Sequence, residues 1–156
     1  MAREIYLTRG GRNKMIDELE RLKERKPQIQ EEIARAREHG DLRENAEYHA
    51  AKETLTNLSR RIMEIENKLM SAQIIDEENL DTSKVYIGLK VLMKDTDGDE
   101  FEYTIVDVEE ANPAESKISV QSPLAQGLMG HKAGETVMVN LPAGTMEIKI
   151  LKISRP

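Results

Sequence analysis

No cysteine occurs among the 156 residues, which excludes a disulfide framework and any thiolate metal site. Tryptophan is absent, phenylalanine occurs once, and aromatic residues make up only 3%, which is thin material for the aromatic-walled pocket that a prolyl isomerase would need. No apolar run approaches the roughly 20 residues that span a bilayer. The opening MAREIYLTRGGRNK carries no apolar stretch of signal-peptide type. A soluble, cytoplasmic protein with no membrane partner is expected. Positive charge is also short: 23 Lys+Arg face 29 Asp+Glu, for a net charge of −6. A protein that coats nucleic acid by neutralising phosphates is usually basic, so any contact with RNA or DNA must be local.

Hydrophobic residues make up 38% and charged residues 33%, which is apolar-poor for one compact core and better suited to a chain with much surface per residue. The hydrophobic pattern divides the chain in two. Met15, Leu19, Leu22, Ile29, Ile33 and Ala36 follow a 4,3,4,3 spacing, with Lys26 in the one missing position. Tyr48, Ala51, Leu55, Leu58, Ile62, Ile65 and Leu69 repeat it. A 3.5-residue repeat held over several heptads predicts a coiled-coil seam. Thr8 is placed to cap the first helix, which then rises about 45 Å to residue 38 at 1.5 Å per residue. The short connection near Gly40 favours antiparallel neighbours. Pro27 falls inside the first helix at a cost of about 3 kcal/mol, yet the heptad phase is the same on both sides, which favours a kinked continuous helix.

After residue 80 the period changes to two. KVLMKD and EFEYTIVDV flank TDG, a hairpin signal because Asp-Gly tolerates positive φ. KISV, ETVMVNL and TMEIKILKI supply three further strands, the last two joined across PAG, and SPLAQGLMG reads as a short helix closed by glycine. The expected fold class is therefore α+β in two domains: residues 1–78 as a long antiparallel coiled-coil hairpin with an acidic tip near 40–45, and residues 79–156 as a small antiparallel sheet with a helix. Acidic residues outnumber basic ones in both halves.

The tip, GDLRENAEYHAAKE, has two readings. Asp41 and Glu44, three residues apart, fit a capping box that opens the second helix, near the positive end of its dipole. They also fit half of a metal site. Mg²⁺ takes six oxygens and is commonly held by one or two carboxylates with waters and phosphates, so two acids on a tip make a site that a partner must complete. Arg35, Arg37, Arg43 and Lys52 fall within about two helical turns of the bend. They are either solvated helix charges or a cradle for a phosphate backbone. His39 and His49 lack zinc-site spacing.

The stretch RAREHGDLRENAEYHAAKE closely resembles the signature of the Gre transcript-cleavage factors of bacteria. The resemblance extends to the opening YLTRGG…ELERL, the proline at position 27, the AQIID junction and ISVQSPLAQGLMGHKAGETVMV, so it covers the whole chain. It implies an N-terminal antiparallel coiled coil and a C-terminal domain of FKBP-like fold. The partners it implies are bacterial RNA polymerase and the nascent RNA 3′ end. The coiled coil would enter the secondary channel and stimulate the polymerase's own cleavage of backtracked RNA. The factor would be an activator and not itself an enzyme. By the same resemblance, Asp41 and Glu44 are the catalytic acids that steady a Mg²⁺ shared with the polymerase and not stably held by the free protein. Arg37 and Lys52 would form the basic patch facing RNA, and Ser122 and Pro123 would lie in the loop that docks on the polymerase. A monomer is expected, because the hairpin buries its own seam.

Three other functions stay open on the residues alone. A channel-binding inhibitor would occupy metal without promoting cleavage, although the interleaved Leu42, Arg43 and Asn45 make a poor purely acidic plug. A prolyl isomerase or chaperone would need a pocket from Tyr86, Phe101 and Tyr103. A coiled-coil adaptor without chemistry would tolerate Asp41→Asn.

Overall fold

The structure, a computed structural model, describes residues 4–38 and 45–156. It forms two compact units, Arg12–Ala72 and a second one that joins Met1–Gly11 to Gln73–Pro156. The sequence-based boundary at residue 78 follows chain order, whereas compactness groups the N-terminal strand with the C-terminal half.

The first unit is a helical hairpin. Helix α1 runs from Arg9 to Arg37 and α2 from Ala46 to Ser71. At 1.5 Å per residue the 29 residues of α1 rise about 43 Å. The helix is continuous through Pro27, in keeping with the unbroken heptad phase. The seam is buried at Met15, Ile29 and Ala36 on α1 and at Tyr48, Leu58 and Ile65 on α2. Ile29 and Ile65 are fully buried, and each contributes about 1.5–3 kcal/mol by leaving water. Lys26, at the polar position of the repeat, is half-buried. Across the hairpin the Arg61 guanidinium donates from Nε to Glu18 Oε1 at 3.0 Å and from Nη2 to Oε2 at 3.1 Å. Lys23 Nζ lies 3.1 Å from Glu66 Oε1.

The second unit holds two sheets. Strands β1 (Ile5–Leu7) and β2 (Ala72–Ile74) form a small pair, which the period analysis did not anticipate because each has only three residues. The main sheet comprises β3 (Lys90–Lys94), β4 (Glu100–Val106), β5 (Lys117–Ser119), β6 (Thr136–Leu141) and β7 (Gly144–Ser154), in the order β5-β4-β3-β7-β6. The expected hairpins are present. Gly98, at φ 87°, closes the turn between β3 and β4, a conformation that suits glycine.

One expectation is corrected. The sheet is mixed, not wholly antiparallel, because β5 lies parallel to β4. After Val106 the chain passes through two 3₁₀ turns, Val108–Glu110 and Pro113–Glu115, and comes back in its original direction. Parallel neighbours need such a crossover. A period-two pattern reports which face is buried and says nothing of strand direction. Helix α3 (Pro123–Leu128) covers β6, and Ala125 and Leu128 join Val85, Leu89, Val91, Met93, Ile105, Val139, Ile148 and Ile150 in one core.

Thr8 caps α1 as its hydroxyl chemistry predicts, its Oγ1 accepting from the Gly11 N–H at 3.0 Å. A distant acid completes the cap. Glu110 Oε2 accepts from the Thr8 N–H at 3.0 Å, and the Thr8 hydroxyl donates to Glu110 Oε1. In a local capping box that carboxylate belongs to the third helical residue. Here that residue is Gly11, and a Cβ on it would overlap the Glu110 side chain, 2.7 Å from Cγ. The absent side chain makes room for a carboxylate 102 residues away.

Candidate functional site

Residues 39–44, which include Asp41, Arg43, Glu44 and His39, lie outside the described residues. Helix α1 ends before them at Arg37 and α2 begins after them at Ala46. Asn45 is the N-cap of α2, in extended backbone at φ −81° and ψ 96°. Its Oδ1 accepts from the Tyr48 N–H at 3.1 Å, and its Nδ2 donates to the Ala36 carbonyl at 2.6 Å. One amide thus satisfies an orphan donor of α2 and an orphan acceptor of α1. The described cap of α2 is Asn45, with Tyr48 as the third helical residue behind it, whereas the capping-box pair expected at Asp41 and Glu44 lies outside the described residues. Asn ranks with Asp and Ser as an N-cap.

The charge placement suits the helix dipoles. Arg35 and Arg37 occupy the last turn of α1, and Glu47 lies in the first turn of α2, each complementing the partial charge of its helix end. Arg35 lines an open concavity of about 470 Å³ with Glu32, Ala36, Glu47, Ala50, Ala51 and Thr54. Two acids there make its surroundings electrically mixed.

Arg37 and Lys52 are brought together, and Tyr48 is what joins them. The Arg37 Cζ lies 5.8 Å from the Tyr48 ring centroid and the Lys52 Nζ lies 5.2 Å from it. Both distances are within cation–π range. The ring is 8% exposed and stands edge-on to the His49 ring at 5.5 Å between centroids. A hydrogen bond from Arg37 holds the Tyr48 phenol below its usual pKa of 10, against burial and with help from the Lys52 charge. Both cations are exposed at the surface. Sequence analysis placed Tyr48 in the seam for its apolar body. Its position four residues before Lys52 was the available signal for the second role.

Ser122 and Pro123 begin α3. Ser122 is the N-cap, its Oγ accepting from the Ala125 N–H at 3.2 Å, and Pro123 holds the first helical position, where its missing N–H costs nothing. Gln126 Nε2 donates to the Val120 carbonyl at 2.6 Å and pins the loop before the helix. Beside it lies a concavity of about 340 Å³ lined in part by Ile5, Tyr6, Ile87, Asp107, Val120 and Met129. Asp107, 6% exposed, accepts from the Glu109 N–H at 2.9 Å and caps the first 3₁₀ turn.

Among the described residues no three acids or histidines converge to hold a metal ion. No helix among them is long and apolar enough to cross a membrane.

Comparisons with known proteins address the whole chain. A family model described as transcription elongation factor, N-terminal, matches residues 5–74. A second, transcription elongation factor, GreA/GreB, C-term, matches residues 80–155. The transcription elongation factor GreA of Chloroherpeton thalassium is 47% identical over 155 residues, covering 98% of each chain. That of Halalkalibacterium halodurans is 46% identical over 150 residues, covering 95% of each. A solved structure of the GreA factor homolog 1 protein of Thermus thermophilus covers 97% of this chain and 99% of its own, at 28% identity and a TM-score of 0.47. With both halves matched and nearly half of all positions shared with such relatives, the chain belongs to the GreA/GreB family of transcription elongation factors and is of the GreA type.

Proposed function

We propose that this elongation factor binds bacterial RNA polymerase, passes its helical hairpin into the secondary channel and stimulates the polymerase's intrinsic cleavage of the 3′ end of backtracked RNA. The observation that carries this reading is the convergence of Arg37 and Lys52 on Tyr48, at the helix ends that bound the segment holding Asp41 and Glu44. A pair of exposed cations next in sequence to a pair of acids suits a phosphodiester that is to be cut.

The division of labour follows from the donor set. Asp41 and Glu44 offer two carboxylates where Mg²⁺ takes six oxygens, so they would hold an ion only together with acids and phosphate oxygens of the partner. When bound in such a shared centre, the metal would supply Lewis-acid chemistry for the phosphodiester and the attacking water. Asp41 and Glu44 orient that water from the protein side, while Arg37 and Lys52 hold the neighbouring phosphates. The protein alone is expected to hydrolyse nothing, and the chain acts as an activator. Ser122 and Pro123, at the start of α3, are assigned to the surface that docks on the polymerase. The factor acts as a monomer.

The test is RNA cleavage by backtracked polymerase complexes, with the wild type, Asp41→Asn and Glu44→Gln. The expected result is cleavage stimulated by the wild type and lost in both variants, with polymerase binding retained. Blocked synthesis without shortened RNA would identify a channel inhibitor. Variants that stimulate like the wild type would remove the two acids from the mechanism.

A further inference from the structure

We infer that Tyr48 is a positioning residue which holds Arg37 and Lys52 as a preformed two-pronged clamp for a single-stranded nucleic-acid backbone. The inference deepens the proposed function and rests on it for the identity of the strand. Its structural basis is independent of that reading.

Arginine and lysine side chains on a solvated helix sample many rotamers, and fixing one costs up to about 2 kcal/mol of entropy. A phosphate that must order two of them binds weakly. Here the two cations come from different helices, Arg37 at the end of α1 and Lys52 in the second turn of α2. They meet at one ring, at 5.8 and 5.2 Å from its centroid. The ring is itself immobilised. Its body is buried in the seam, and its backbone N–H is held by the Asn45 cap. A leucine would fill the seam as well, and seam packing alone gives no reason for a phenol between two cations. The ring orders both cations before the ligand arrives, and preorganisation of this kind raises affinity by lowering the cost of binding. Arg37 and Lys52 each spend a donor on the Tyr48 phenol, and the remaining N–H groups of the guanidinium and the ammonium can still bond to phosphate oxygens.

The experiment compares Tyr48→Leu and Tyr48→Phe with Arg37→Ala and Lys52→Ala. Each is titrated into backtracked polymerase complexes, and the half-saturating concentration is read separately from the cleavage rate at saturation. Two exposed cation–π contacts correspond to an increase of about fivefold to thirtyfold in half-saturating concentration for Tyr48→Leu. Tyr48→Phe keeps the ring face but loses the phenol oxygen to which Arg37 donates, and is expected to restore only part of that loss. In the free protein, carbon-resolved NMR should show the Lys52 ε-methylene and Arg37 δ-methylene shifted upfield by the ring. That shift should survive in Tyr48→Phe and vanish in Tyr48→Leu, while helix content by circular dichroism stays that of the wild type. A Leu variant that titrates like the wild type overturns the inference. If Arg37→Ala and Lys52→Ala also leave the titration unchanged, the basic patch itself has no part in the function. If they weaken it and Tyr48→Leu does not, only the positioning role fails.

Discussion

Replacing Gly11 with alanine should destabilise the protein, although alanine is the better helix former. In a helix the substitution gains about 0.5–1 kcal/mol from backbone entropy. At Gly11 the new Cβ would occupy the space of the Glu110 side chain, 2.7 Å from its Cγ. The carboxylate must swing away, and the Thr8 N–H and hydroxyl lose the two bonds that it accepts. Hydrogen bonds to a charged group contribute about 1.5–3 kcal/mol each, and water replaces part of that at this half-buried site. A loss of about 2 kcal/mol for the pair is therefore expected, leaving the variant about 1 kcal/mol less stable. The sign should reverse when Glu110 is already alanine, where nothing opposes the propensity gain. Urea unfolding of the wild type, Gly11→Ala, Glu110→Ala and the double variant closes the cycle, with a coupling of about 2 kcal/mol expected. Amide exchange at Thr8 supplies a local readout and should accelerate in both single variants. Stabilisation by Gly11→Ala in both backgrounds would refute the non-local cap.

Two further outcomes follow from specific contacts. Asn45→Ala removes the acceptor of the Tyr48 N–H and the donor to the Ala36 carbonyl, and should cost about 1–2 kcal/mol, read as faster amide exchange in the first turn of α2; Asn45→Asp, which still caps but cannot donate, should retain roughly half. The Glu135 carboxyl is held below its usual pKa of 4.5 by its hydrogen bond with His131, whose Nδ1 lies 2.7 Å away. A depressed acid stabilises the fold above its unfolded pKa and loses that contribution as pH falls through the folded value, so Glu135→Gln should flatten the fall in Tm between pH 5 and acid values, and an unchanged profile would dismiss the pair.

Much of the molecule was legible in the chain because local rules act on neighbouring residues. The heptad spacing from Met15 to Leu69 specified two helices with complementary apolar stripes, and the same phase on both sides of Pro27 preserved α1 across a residue that usually ends helices. The Thr8 hydroxyl, the Asp-Gly turn and the change to period two after residue 80 each reported local backbone preference. Charge marked four cations near the bend, Arg35, Arg37, Arg43 and Lys52, and the family resemblance carried by the tip motif, which the whole-chain comparisons bear out, singled out Arg37 and Lys52. Asp41 and Glu44 fall outside the described residues, so their place in the site rests on the sequence.

Tertiary structure decided what depends on residues distant in the chain. Alternation within KISV marks a strand, and only the crossover through residues 108–115 made β5 parallel to β4. The sequence around Gly11 contains no acid at the position a capping box requires, because the acid arrives from Glu110. Tyr48 belongs to the apolar repeat by spacing, and became the junction of a basic pair only when α1 brought Arg37 to the ring that already faced Lys52. Propensity and periodicity act over a few residues, whereas a carboxylate entering a glycine-sized gap, or a ring shared between two helices, exists only after the chain has closed on itself.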